Sequence, residues 1–124
     1  MPIVYSCSGC SSAAQMANYL ALQLDRKKIA QMSCIAGVGG NVRSLVQLAK
    51  SAEFIICIDG CPLKCGQACL SKHGIQPHIP IILSDFDVEK RLHADFCFEQ
   101  ADDLLNKFEC EFKKILDSEP TASE

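Results

Sequence analysis

Cysteine dominates the chemistry available to this chain, with nine cysteines among 124 residues. They are not scattered. Cys7 and Cys10 form a CxxC, Cys61 and Cys65 a CxxxC, and Cys69 follows one helical turn later. Thiolates at such spacings hold soft metals or exchange disulfides. The stretch Phe54–Leu70, FIICIDGCPLKCGQACL, concentrates them. Its apolar start reads as a strand buried on both faces, broken by Asp59-Gly60. Pro62 suits the first position of a helix, which would put Cys61 at or beside the N-cap and Cys65 one turn on. A helix start favours thiolate over thiol.

Other side chains offer less. Asp59 reads as a residue closing a turn before a helix, its carboxylate taking backbone N–H groups, and also as a group orienting a metal ligand. His73, His78 and His93 have no ligand spacing to a cysteine and read as surface residues. Asp85 and Asp87 are explained by a helix cap. Gly37–Asn41 suggests a phosphate loop, but lacks the GKS or GKT end of a Walker loop and the GxGxxG of a dinucleotide site. It reads better as a glycine turn positioning Cys34. A cysteine phosphatase needs an Arg shortly after its nucleophile, and neither Cys7 nor Cys34 has one. Cys57 reads as a small buried hydrophobe; Cys97 and Cys110 lack any ligand pattern.

Length and charge fit one domain over 1–117, with a polar, disordered tail over 118–124. A net charge of −3 gives no nucleic-acid footprint, and no apolar run approaches a membrane span. The N-terminus has no signal-peptide pattern, so a cytoplasmic location is expected. There, an odd number of cysteines argues for metal or redox chemistry over a disulfide scaffold.

The elements that must position the cysteines can be read in order. Ile3–Tyr5 is a strand; Ala13, Met16, Ala17, Leu20, Ala21 and Leu24 mark a helix over about 12–26. Ile29–Ile35 is a second strand, and Val42, Leu45, Val46, Ala49 and Ala52 mark a second helix. The FIICI strand and its cysteine helix follow, with Gly74 as a C′ residue. Ile79–Leu83 is a fourth strand, Ser84–His93 a turn with a short helix, and about 99–117 a closing helix. Such alternation implies a three-layer α/β domain with a mostly parallel four-stranded sheet, order 2-1-3-4, flavodoxin-like. In that order Cys7, Cys34, Cys61 and Cys65 all fall at the carboxyl edge of three adjacent strands, where open α/β sheets place their sites. The spacing alone would equally suit Cys7/Cys10 with Cys61/Cys65 around one ion.

Three blocks, CSGCS at Cys7–Ser11, SCIAGVGG at Ser33–Gly40 and DGCPLKC at Asp59–Cys65, resemble the DGC-domain family, named for the Asp59-Gly60-Cys61 motif. The resemblance runs from about Ile3 to Phe98. It implies a Zn2+ site formed by Cys7, Cys34, Cys61 and Cys65, with a structural, sensing or binding role. Cys10 and Cys69 are extra to that pattern and stand as alternative ligands. Two other readings of the thiols stay open: a thiol-disulfide redox protein using Cys7 and Cys10, and an iron–sulfur protein. The residues name no reaction, substrate or partner.

Overall fold

A computed structural model describes residues 1–118; the tail expected over 118–124 falls almost wholly outside the described residues. Four strands form one all-parallel sheet in the order β2-β1-β3-β4. They are β1 (Ile3–Ser6), β2 (Gln31–Met32), β3 (Ile55–Asp59) and β4 (Ile79–Ile82). The helices are α1 (Ser12–Arg26), α2 (Ile35–Gly39), α3 (Arg43–Ser51), α4 (Cys65–Ser71) and α5 (Phe98–Ser118), and a 3-10 turn spans Leu83–Phe86.

The strands are apolar on both faces because each face is covered. Side chains alternate across a strand. Val4, Ile56, Ile58 and Ile81 therefore pack with α1 and α5, through Leu20, Leu24, Phe108 and Phe112. Ile3, Tyr5, Ile55 and Cys57 pack with Val38, Ala49 and Leu70 of α2, α3 and α4. This is the expected three-layer arrangement. Cys57 is buried in it as a small apolar residue.

Two elements depart from the expected pattern. The second strand is only two residues long, and the glycine run behind it is mostly helical, as α2. Packing outweighs glycine's low helix propensity. A Cβ at Gly37 would lie 2.0 Å from Leu45 Cδ1, and one at Gly39 would lie 2.8 Å from Cys69 Sγ. The glycines let α2 approach α3 and α4; they form no phosphate loop. The cysteine helix also begins later than Pro62 suggests. Cys61–Lys64 is a turn closed by Lys64 N–H donating to the Cys61 carbonyl at 3.1 Å, with Pro62 in its favoured second position. Lys64 adopts φ 54° before α4 starts at Cys65. Cys61 and Cys65 therefore do not share a helix face.

Candidate thiol site

The site is assembled where the chain leaves β1 and β3, the point at which the strand order reverses. Asp59, the last residue of β3, is fully buried. Its Oδ1 accepts the Gly66 N–H at 2.7 Å and its Oδ2 the Gln67 N–H at 3.2 Å. These are two of the orphan donors at the start of α4. Lys64 has no side chain able to cap, so the carboxylate of a neighbouring strand does it. Gly66 permits the approach: a Cβ there would come within 2.9 Å of both Asp59 Oδ1 and Cys57 Sγ. The turn-closing reading of Asp59 is thus the observed one. Cys57 directs its thiol at the same carboxylate, 3.6 Å from Oδ2.

Gly60 joins the two loops. Its backbone lies against the first turn of α1; a Cβ would stand 2.7 Å from the Ala13 carbonyl carbon. Its N–H donates to Cys7 Sγ at 3.2 Å, and the Cys7 N–H donates to the Ile58 carbonyl at 3.1 Å. Cys7 is consequently fixed over the end of β3. Ser11 caps α1 by accepting the Ala14 N–H at 3.1 Å, which places Cys10 just outside that helix.

Between these turns lies a cleft of about 190 Å3 lined by Cys7, Cys10, Cys61, Cys65, Lys90 and Leu92, among others. Lys90 Nζ donates to Cys61 Sγ at 3.6 Å. The Lys90 segment is held in place by Ser12. Its Oγ donates to the Glu89 carbonyl at 3.3 Å and accepts the Arg91 N–H at 2.9 Å, while its N–H donates to the Arg91 carbonyl at 2.9 Å. Lys90 is the site residue that sequence reasoning missed. The available signal was position: its segment follows β4 at the same carboxyl edge. A larger open groove, about 420 Å3, runs between α4 and β4, but it holds no thiol and no acid, only Lys64 as a charged group. Chemistry, not volume, marks the site.

Burial pushes the Cys7 thiol up to about 11; the Gly60 N–H offsets part of this, while Asp59, Cys65 and Cys61 add to it. Cys57 is pushed up by burial and then by Asp59. Cys69 is raised by burial, Cys65 and Asp59. Negative charge is thus disfavoured here unless a cation replaces the protons.

The expected site residues are placed as follows. Cys7, Cys61 and Cys65 line one cleft, and Cys10 joins them. Cys34 is the exposed N-cap of α2 and lines a separate cavity of about 120 Å3; Ser8 lines both. Cys69 faces α2. Cys97 and Cys110 are exposed. His73 Nε2 is 2.9 Å from the Val38 carbonyl, and His78 Nδ1 accepts the Ile55 N–H at 3.0 Å. Among the described residues, no three Cys, His, Asp or Glu side chains converge to hold a metal ion in this conformation. No described helix is long and apolar enough to cross a membrane.

The "Anaerobic and virulence modulator AnvM" of Pseudomonas aeruginosa is 48% identical over 109 residues, covering 88% of this chain and 83% of that protein. No solved structure matches. The DGC domain matches residues 3–108, which include all three cysteine blocks and all four strands of the sheet. The match over most of the chain, cysteine-bearing turns included, shows the family: the chain belongs to the DGC-domain family.

Proposed function

We propose that this protein is a regulatory metal-binding module that holds a zinc ion through thiolates of the β1 and β3 turns. Cys7, Cys61 and Cys65 are the common ligand set. Cys34 supplies the fourth thiolate, with Cys10 as the competing choice. The observation that carries the reading is the Gly60 N–H···Cys7 Sγ bond, which locks both thiol-bearing turns onto one cleft. The donor set is right for a soft or borderline ion. Loading requires the thiols to rotate inward, and Cys34 to pass the Ser8 turn. Cys10 needs no such passage, since it already lines the cleft. The regulatory role rests on the name of the similar Pseudomonas protein, a modulator.

Direct thiol-disulfide catalysis by Cys7 has weaker support. An attacking thiol needs a lowered pKa, and burial moves Cys7 the other way, to about 11. Metal binding suits it better, because the ion displaces the proton and makes affinity fall with pH.

The test is metal analysis and a visible absorption spectrum of anaerobically purified protein, alongside single Ser replacements. Colourless protein with bound zinc is expected, with strong zinc loss in Cys7→Ser, Cys34→Ser, Cys61→Ser and Cys65→Ser and none in Cys57→Ser, Cys97→Ser or Cys110→Ser. Full retention in Cys34→Ser with loss in Cys10→Ser assigns the fourth position to Cys10. Visible iron–sulfur absorption, or no metal at all, overturns the zinc reading.

A further inference from the structure

Metal binding leaves Lys90 without a task. Among the described residues that line the thiol cleft, it is the one ionisable group other than the cysteines. Its Nζ lies 3.6 Å from Cys61 Sγ. Among the described residues no ion pair draws it away, and the adjacent Glu89 is engaged by Arg91 at 2.8 Å. Ser12 ties down the backbone on both sides of it, at Glu89 and Arg91. Cys61 is half-buried and Lys90 is exposed, so a small dissolved oxidant reaches both; Cys7 in the same cleft is buried. Among the described residues no other thiol hydrogen-bonds to Cys61 Sγ, whose recorded neighbour is the lysine nitrogen.

A thiol and an amine held this close can be joined by oxidation, because proximity replaces a chance encounter. We propose that Cys61 and Lys90 are a redox modification site, joined through a single oxygen atom as an S–O–N bridge. The oxidant is molecular oxygen. The S–H bond of Cys61 and an N–H bond of Lys90 break, and S–O and O–N bonds form. One oxygen atom stays in the bridge; the other leaves as water with the two hydrogens, and the extra proton of the ammonium passes to solvent. Sulfur and nitrogen each give up two electrons, and O2 accepts all four. Two molecules of a dithiol return them, which restores thiol and amine and releases the bridging oxygen as water. From 3.6 Å the two atoms have to close by less than one bond length. The bridge itself needs no metal. Its consequence rests on the zinc reading: a bridged Cys61 has no thiolate to offer, so oxygen would close the site to the ion until a reductant reopened it.

The experiment is non-reducing peptide mass spectrometry of the full chain, reduced, chelated, freed of reductant and then held under air or under nitrogen. Under air a linked pair of peptides is expected, one with Cys61 and one with Lys90, heavier by one oxygen and lighter by two hydrogens than their sum. It should be absent under nitrogen, and dithiothreitol should return both peptides unmodified. Cys61→Ser should abolish it. Lys90→Arg should abolish it too, since a guanidinium keeps the charge and the reach but is no amine nucleophile. Lys90 is exposed, so that variant folds as the parent does. The proposal is overturned if air yields no link between these peptides, if the link lacks the added oxygen, as a disulfide or a direct S–N bond would, or if it persists in Lys90→Arg. Because the chain is chelated, a missing bridge is a failure of this proposal alone, whereas failure of the zinc reading shows in the metal analysis and leaves the bridge in place.

Discussion

Asp59→Ala is the perturbation with the most to reveal. The carboxylate is fully buried and accepts two N–H groups of α4, at 2.7 Å and 3.2 Å. Hydrogen bonds to a charged acceptor contribute roughly 1.5–3 kcal/mol each. The Gly66 N–H is buried and gains no substitute partner, so its full share is lost. The Gln67 N–H is half-buried and partly rehydrates, so only about 1 kcal/mol goes with it. Removing a buried charge returns some desolvation energy. We expect a net loss of about 3 kcal/mol, above the ~1 kcal/mol typical of an exposed cap because this one is inside. With a urea slope of about 2 kcal/mol/M for a domain of this size, the midpoint should fall by roughly 1.5 M. Asp59→Asn keeps an acceptor for Gly66 but turns an amide toward Gln67, and should lie between the two. Hydrogen exchange should accelerate across Cys65–Ser71 in Asp59→Ala and remain near the parent value in α1. A loss under about 1 kcal/mol, with α4 exchange unchanged, would refute the capping argument.

In reduced, chelated protein, Cys7 should be alkylated about 100-fold more slowly at pH 8 than a thiol at the ordinary 9.0, because its own value is about 11. A raised thiol keeps its proton on folding, so the stabilisation is present below pH 9 and is lost as pH rises from 9 through 11. Alkylation of Cys7 as fast as that of the exposed Cys10, read by peptide mass spectrometry, contradicts the burial. Gly60→Ala would press a methyl group within 2.8 Å of the Ala13 and Ala14 backbone, and should cost about 3 kcal/mol or prevent folding. Gly74→Ala meets open space but φ +73°, and should cost only about 1 kcal/mol; melting temperatures that reverse this order sink the packing argument. If zinc is bound as proposed, stripping it should leave the protein folded, since two apolar layers cover the sheet, and should speed hydrogen exchange only at residues 7–12 and 60–66, extending to 33–41 if Cys34 is a ligand. Acceleration throughout the sheet would show instead that the metal holds the whole fold.

The architecture was legible because the apolar patterns were of the right lengths. FIICI reads as a strand buried on both faces and is one, and the spacing from Ala13 to Leu24 marks the buried face of α1. The all-parallel order follows from alternation of elements and the rule of right-handed crossovers. Misplacement came where local chemistry was ambiguous. Pro62 fits a helix start and a β-turn equally, and only the turn lets Asp59 reach Gly66. Glycines read as breakers at Gly37–Gly40, yet the close approach of α3 and α4 to α2 requires small residues there and overrides the loop preference. The sheet edge carrying Cys7, Cys61 and Cys65 was readable from topology; the side of Ser8 on which Cys34 lies was not, because side-chain direction in a short turn leaves no periodic trace. Lys90 was invisible for a related reason. Its place depends on Ser12, 78 positions earlier, through hydrogen bonds that no local pattern encodes.

The two borders of the sheet bear on how copies of this protein meet in a crowded solution. β2 offers two residues along one border, and on the other β4 carries Pro80, which has no N–H to extend a ladder. Neither is a template long enough for strand addition from a neighbour. For a chain with nine free thiols this matters kinetically. Two molecules zipped along a border would keep cysteine-bearing turns side by side for as long as the pairing lasted, and air oxidation would then weld them. Blunt borders limit such meetings to brief collisions, so a concentrated, reduced stock should lose thiols to cross-linking at a rate set by encounter frequency instead of by residence in a pre-formed stack.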